Sequence, residues 1–205
     1  MKKSIKAVST STYIHFPKWL DEPAEYKEFV VLDDQVSVQD VDSFIIGLFY
    51  FNNWFNLGDA QESFQFLLQK MEEGIILGGG LLFSDGTQNI PPSCCCGLED
   101  WREQVDGCLN NRSPWLGHQP SPSIQFTEEK IYVWPNDYTG EYDKNVHVEK
   151  MTPIEYEPNT FRQMILNIEK DIVSFVKGPL TSRIHSLCRA DAGKIIDSIS
   201  SWLSI

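Results

Sequence analysis

The chain has 205 residues, 41% of them hydrophobic and 12% aromatic, so we expect one globular domain over residues 1–205. Its net charge of −12 repels phosphate groups and therefore argues against nucleic acid as a partner. No segment approaches the roughly 20 apolar residues that span a bilayer, and polar residues follow the basic start at residues 1–6, so we expect neither a membrane span nor a signal peptide.

The first predicted elements are a strand and a helix. Residues 28–32 form a short β-favouring run that ends at two aspartates and predicts a strand. Ser37 and Asp40 then have the spacing of a capping box, and the apolar residues that follow fit a helix. Residues 46–50 also alternate as in a strand, so both alternatives stay open.

A second helix has clearer boundaries. Asp59 is a suitable N-cap with Glu62 three residues later, and Gly74 is placed to end the helix. The apolar run at residues 75–83 predicts a strand. Its three glycines at residues 78–80 indicate a bulge or a close backbone contact, because no helix follows them as in a phosphate-binding loop.

Short elements alternate through the middle of the chain. Residues 98–107 predict a helix, and residues 124–126 with 130–134 predict a hairpin. Residues 145–150 predict one more strand.

Two helices end the chain. The first begins at Asn159 and ends at Gly178 and Pro179, and the second covers residues 181–203, so the two are expected to pack as an antiparallel pair. The whole order predicts an α+β fold with a central antiparallel sheet, flanking helices and a C-terminal antiparallel helix pair.

Negative charge is concentrated near the N-terminus. Between residues 20 and 62 there are ten acidic residues and one lysine, a local charge of −9. Such a segment attracts basic proteins. With the aromatic residues that flank the central helix it gives a candidate partner-binding set of Trp101, Trp115, Asp33, Asp34, Asp40 and Asp42.

Three adjacent cysteines precede the central helix. Unpaired amides and the positive end of a helix dipole stabilise a thiolate, so Cys95 or Cys96 is a candidate catalytic nucleophile, with His118 as its base. Glu99 and Asp100 oppose this by repelling a thiolate. The alternative is that the thiols pack under a buried bend.

A metal site is the third possibility for this segment. Cys94, Cys96, Cys108 and His118 supply four zinc-binding side chains, but their spacing matches no zinc-finger pattern. Adjacent cysteine side chains are also expected to diverge. We therefore expect no metal and no cofactor. The chain has five cysteines, an odd number, so they cannot all pair in a disulfide framework. This favours location in the reducing cytoplasm.

The sequence CCCGLEDWR at residues 94–102, followed by SPWLGH at 113–118, resembles a signature of uncharacterised bacterial proteins for which no activity is established, so the resemblance assigns no functional residue. We expect a non-enzymatic, acidic, cytoplasmic binding protein, with an immunity-type inhibitor of a basic toxin as its specific form. A thiol-dependent enzyme or redox protein using residues 94–96, and a zinc-stabilised domain, are the alternatives.

Overall fold

A computed structural model describes residues 2–11, 16–20, 27–54, 58–141, 144 and 146–205. The chain divides into two compact units. One contains Met1–Ala7 and Gly78–Ile168, and the other contains Val8–Leu77 and Glu169–Ile205. That residues 1–205 form one domain remains a prediction from the sequence.

The α+β class predicted from the sequence is confirmed. The strands are β1 (Ser4–Thr10), β2 (Phe29–Val31), β3 (Gly79–Ser84), β4 (Asn89–Ile90), β5 (Ser123–Phe126), β6 (Ile131–Trp134) and β7 (Ile154–Tyr156). The α-helices are α1 (Val38–Phe51), α2 (Ala60–Glu73), α3 (Trp101–Leu109), α4 (Pro158–Phe175), α5 (Thr181–Leu187) and α6 (Ala192–Trp202). Short 3-10 turns cover Leu98–Asp100 and Val148–Lys150.

The described strands form two antiparallel sheets, with strand orders β2-β1-β3-β4 and β5-β6-β7. The predicted hairpin is present as β5 and β6. The strand predicted at residues 145–150 is wrong: Val148–Lys150 is a 3-10 turn, Asn145 lies outside the described residues, and β7 begins at Ile154 instead. Ile154 and Tyr156 are buried while Glu155 is exposed, the alternation of a strand with one face on a core.

Side-chain caps set the starts of the first two helices. The Ser37 hydroxyl accepts from the Asp40 amide, and the Asp40 carboxylate accepts from the Ser37 amide, which confirms the predicted capping box and decides for a helix in α1. The Asp59 carboxylate accepts from the Glu62 amide at 2.8 Å and starts α2. Gly74, with φ +95°, ends it.

The C-terminal helices are present, but the helical path does not stop at Gly178 and Pro179. It continues as a π-helical segment, Val176–Leu180, directly into α5. A π turn is wider than an α turn and accommodates a proline, which has no N–H to donate. The break in the predicted second helix instead lies between α5 and α6.

Each unit has its own aromatic core. In the unit that contains Gly78–Ile168, the buried rings of Tyr156 and Phe161 contact at 5.6 Å, and the Tyr156 hydroxyl donates to the carbonyl oxygen of Ser84. In the other unit, Phe44 packs edge-on against Phe175 at 5.0 Å. None of the helices in the described part of the chain is long and apolar enough to cross a bilayer.

Candidate thiol and imidazole site

The cysteine segment is held against the loop that carries His118. The Ser93 amide donates to the Leu116 carbonyl at 2.9 Å, and the His118 amide donates to the Cys94 carbonyl at 3.1 Å. The Ser93 hydroxyl also donates to the His118 carbonyl at 3.0 Å. These three hydrogen bonds pair the two segments antiparallel and bring Cys94 beside a histidine 24 positions away.

Gly117 makes this close approach possible. Its φ is +96°, and a Cβ atom placed on it would lie 2.7 Å from the Ser93 and Cys94 carbonyl oxygens. No side chain fits in that space. A glycine is therefore required at the position before His118.

The Cys94 and Cys95 sulfurs converge instead of diverging. Cys95 has φ +63°, a left-handed backbone conformation that is uncommon for a residue other than glycine. The two sulfur atoms lie 3.3 Å apart, and both residues are exposed. The expectation that adjacent thiols diverge is therefore wrong for this pair.

His118 completes the cluster. One donor atom from each of Cys94, Cys95 and His118 lies within 4.8 Å of the others, and no other group of three possible metal ligands occurs among the described residues. The Nδ1 atom of His118 is buried and has no hydrogen-bond partner in the described part of the chain. A buried nitrogen without a partner is costly, so this atom is suited to a ligand.

Cys96, in contrast, points into the core. It is buried, and its sulfur accepts from the Gln104 side-chain amide at 3.1 Å. Burial raises the pKa of Cys96 to about 12, and Asp100 and Glu99 act in the same direction against the Gln104 hydrogen bond. Its burial and its raised pKa both oppose a nucleophilic role for Cys96, and its packing agrees with the buried-bend alternative.

The thiols do not form the four-ligand zinc set considered from the sequence. Cys108 is buried in α3, and burial raises its pKa to about 12. Neither Cys96 nor Cys108 belongs to the cluster with His118. Cys95 is the one predicted nucleophile that lies beside His118, and its hydrogen bond with Cys94 raises its pKa, with a smaller effect from desolvation.

The structure gives the predicted partner-binding residues different roles. Trp101 is buried, and Asp42 is buried in an ion pair with Arg183, so neither is available to a partner. Asp40 caps α1 and pairs with Lys27. Asp33 and Asp34 accept hydrogen bonds from Gln35, and three further acids of this segment, Asp21, Glu22 and Glu25, lie outside the described residues.

Trp115 is the exception, because 49% of it is exposed. It lies beside the ring of His118, with 5.8 Å between centroids, and borders a cavity of about 340 Å³. The cavity is also lined by Asp100, which directly precedes α3, by Glu103 and Asp106 of α3, and by Arg112. This acidic lining was not predicted from the sequence. The signal was available, because residues three and six positions after Asp100 lie on the same side of a helical segment.

Comparisons with models of protein families, with curated proteins and with solved structures found no match to this chain.

Proposed function

We propose that this protein binds a thiophilic metal ion through Cys94, Cys95 and His118. The observation that carries the proposal is the convergence of two exposed sulfurs and one ring nitrogen within 4.8 Å. Two thiolates with one imidazole form a soft donor set, which suits Zn²⁺, Cd²⁺ and Cu⁺ better than Mg²⁺ or Ca²⁺.

The distances need only a small adjustment to hold an ion. With zinc–sulfur bonds of about 2.3 Å at a tetrahedral angle, the two sulfurs would lie about 3.8 Å apart. The structure places them 3.3 Å apart. Binding would open the pair by roughly half an ångström, and both side chains are at the surface, where rotation is least hindered.

Metal binding accounts for this cluster better than nucleophilic catalysis does. A catalytic cysteine needs a lowered pKa and a base oriented by a third group. Here the hydrogen bond with Cys94 raises the pKa of Cys95, which opposes a thiolate nucleophile. A bound cation would displace the thiol protons and occupy the imidazole lone pair.

Three protein ligands leave one tetrahedral position open. Structural zinc sites are usually closed by four side chains, whereas sites with three keep a position for water or a further ligand. Both cysteines of the cluster are also exposed, so an ion could enter and leave from their side without unfolding. We therefore propose reversible binding in a reducing cytoplasm, where the thiols stay available.

A cadmium titration tests the proposal. We expect the reduced protein to bind one Cd²⁺ per chain, with a thiolate-to-metal charge-transfer absorption in the ultraviolet. Cys94→Ser, Cys95→Ser and His118→Ala should each weaken binding at least tenfold. Cys108→Ala and His185→Ala, which change a buried cysteine and an exposed histidine outside the cluster, are the matched controls. Equal binding by the cluster variants and the controls would refute the proposal.

A basic protein partner, the leading hypothesis from the sequence, is a second candidate function. The cavity beside α3 is what favours it, because three carboxylates, one arginine and the half-exposed Trp115 line a space of about 340 Å³, so negative charge exceeds positive charge there. A lysine or arginine side chain could pair with the carboxylates and stack on the indole ring. An immunity-type inhibitor of a basic toxin would need such a surface.

This second candidate is tested by binding of an arginine-rich peptide at low and high salt. We expect Glu103→Gln with Asp106→Asn to weaken binding and to flatten its salt dependence. The pair Asp33→Asn with Asp34→Asn removes the same charge elsewhere and should change binding less. If both double variants lose the same affinity, only net charge matters and the cavity is not the site.

A further inference from the structure

We propose that Cys94 and Cys95 form a reversible disulfide with each other, and that this bond closes the metal site to its ion. The control of metal binding rests on the proposed function above, whereas formation of the bond does not.

Proximity and exposure single out this pair. Their sulfurs are 3.3 Å apart, and a disulfide needs about 2.05 Å. The two sulfurs already contact each other with Cys95 in its left-handed backbone conformation. Cys96, Cys108 and Cys188 are buried, so an oxidant in solution reaches Cys94 and Cys95 first.

The bond would be strained and hence easy to reduce. Neighbouring Cα atoms are about 3.8 Å apart, below the roughly 4.4–6.8 Å of ordinary disulfides. Strain of this kind raises the reduction potential and is typical of labile, regulatory disulfides. The pair is therefore suited to form a disulfide when the surrounding low-molecular-weight thiols are oxidised, and to return to two thiols when they are reduced.

The oxidant we propose is a low-molecular-weight disulfide such as oxidised glutathione. The thiolate of one cysteine attacks it, forming a mixed disulfide and releasing one glutathione thiolate. The thiolate of the neighbouring cysteine then attacks the cysteine sulfur of this mixed disulfide. The Cys94–Cys95 bond forms, and the second glutathione leaves as a thiolate. The two protons lost by the protein thiols end on the two glutathione molecules, and two electrons pass to the glutathione.

Oxidation would remove the metal ligands themselves. Metal ions are held by thiolates, and a disulfide sulfur carries no negative charge. His118 would then be left as the one ligand of the cluster, which is too few to retain an ion. A bound ion should in turn protect both thiols from oxidation.

The experiment equilibrates the full chain with reduced and oxidised glutathione at several ratios, blocks free thiols, and identifies the peptide of residues 94–96 by mass spectrometry. We expect loss of two hydrogen atoms within that peptide, return of both thiols on reduction, and Cd²⁺ binding that disappears and returns in step. Cys95→Ser should stop at the mixed disulfide on Cys94, and Cys108→Ala should behave as the unchanged protein.

Two results would overturn the proposal. One is a stable mixed disulfide in the unchanged protein with no internal bond, and the other is an internal bond that leaves Cd²⁺ affinity unaltered. The disulfide is measured by mass spectrometry on protein to which no metal has been added. A failure to form the disulfide is therefore distinguished from a failure of the reduced protein to bind Cd²⁺.

Discussion

The backbone amide of His118 donates to the carbonyl oxygen of Cys94 at 3.1 Å, and this contact fixes the distance between the imidazole and the thiols. It places a ring from one loop against two sulfurs from another. The bond is available because Gly117, the residue before His118, has no side chain. Disturbing the backbone there should therefore disturb the site.

We expect Gly117→Ala to lower the free energy of unfolding by about 3 kcal/mol, since it combines left-handed strain with a clash against backbone atoms. Gly140→Ala is the matched control. Gly140 also has a positive φ, +70°, but its Cβ would meet nothing within 4 Å, so we expect about 1 kcal/mol from strain alone. Urea unfolding measures both, and equal losses would show that the approach at Gly117 is not tight.

Alkylation of the native protein should distinguish the cysteines. Iodoacetamide at about pH 8, near the ordinary thiol pKa, is expected to modify Cys94 and Cys95 and to spare Cys96, because burial raises the Cys96 pKa to about 12. Peptide mass spectrometry identifies the modified residues, and denaturant should expose all five cysteines. Rapid modification of Cys96 before unfolding would contradict the buried position that the structure gives it.

Asp42 should matter for stability and not for partner binding. Both of its carboxylate oxygens accept from the Arg183 guanidinium, at 2.6 and 2.8 Å, and its side chain is only 3% exposed. Asp42→Asn leaves the arginine without its charge partner, so we expect a loss of about 3 kcal/mol. The exposed Asp34→Asn should cost under about 0.5 kcal/mol. Thermal unfolding compares them, and a neutral Asp42→Asn would contradict the buried ion pair.

Asp85 should titrate well below an ordinary aspartate. Hydrogen bonds from the Thr87 hydroxyl and from the amides of Gln88 and Thr87 lower its pKa to about 2. A lowered folded-state pKa contributes stability above the unfolded value of about 3.9 and loses it as pH falls toward about 2. Carbon-detected NMR of the carboxyl group should show this pKa, and Thr87→Val should raise it. A pKa near 4 in the unchanged protein would contradict these hydrogen bonds.

Local chemistry made much of the fold predictable. The Ser37 and Asp59 caps depend on residues three positions apart, so the starts of α1 and α2 could be predicted from the sequence. Strand β1 could not. Its polar residues Ser4, Lys6, Ser9 and Thr10 obscure its few apolar ones, and Ser9 is nevertheless buried in a strand that lies between β2 and β3.

The candidate site was only partly predictable. The cysteines and His118 were identifiable as reactive residues, but which thiols meet the histidine depends on the backbone of Cys95. A left-handed cysteine has no sequence signal, since such conformations favour glycine and asparagine. The inward turn of Cys96 likewise depends on a contact with Gln104, a polar residue eight positions along the chain that is buried in α3.

X-ray absorption at the cadmium edge of the loaded, reduced protein tests metal binding at the cluster most directly. We expect two sulfur ligands and one imidazole nitrogen per ion, with one sulfur lost in Cys94→Ser and the nitrogen lost in His118→Ala. A first shell made of oxygen alone, or one that is the same in both variants, would contradict the metal centre at Cys94, Cys95 and His118.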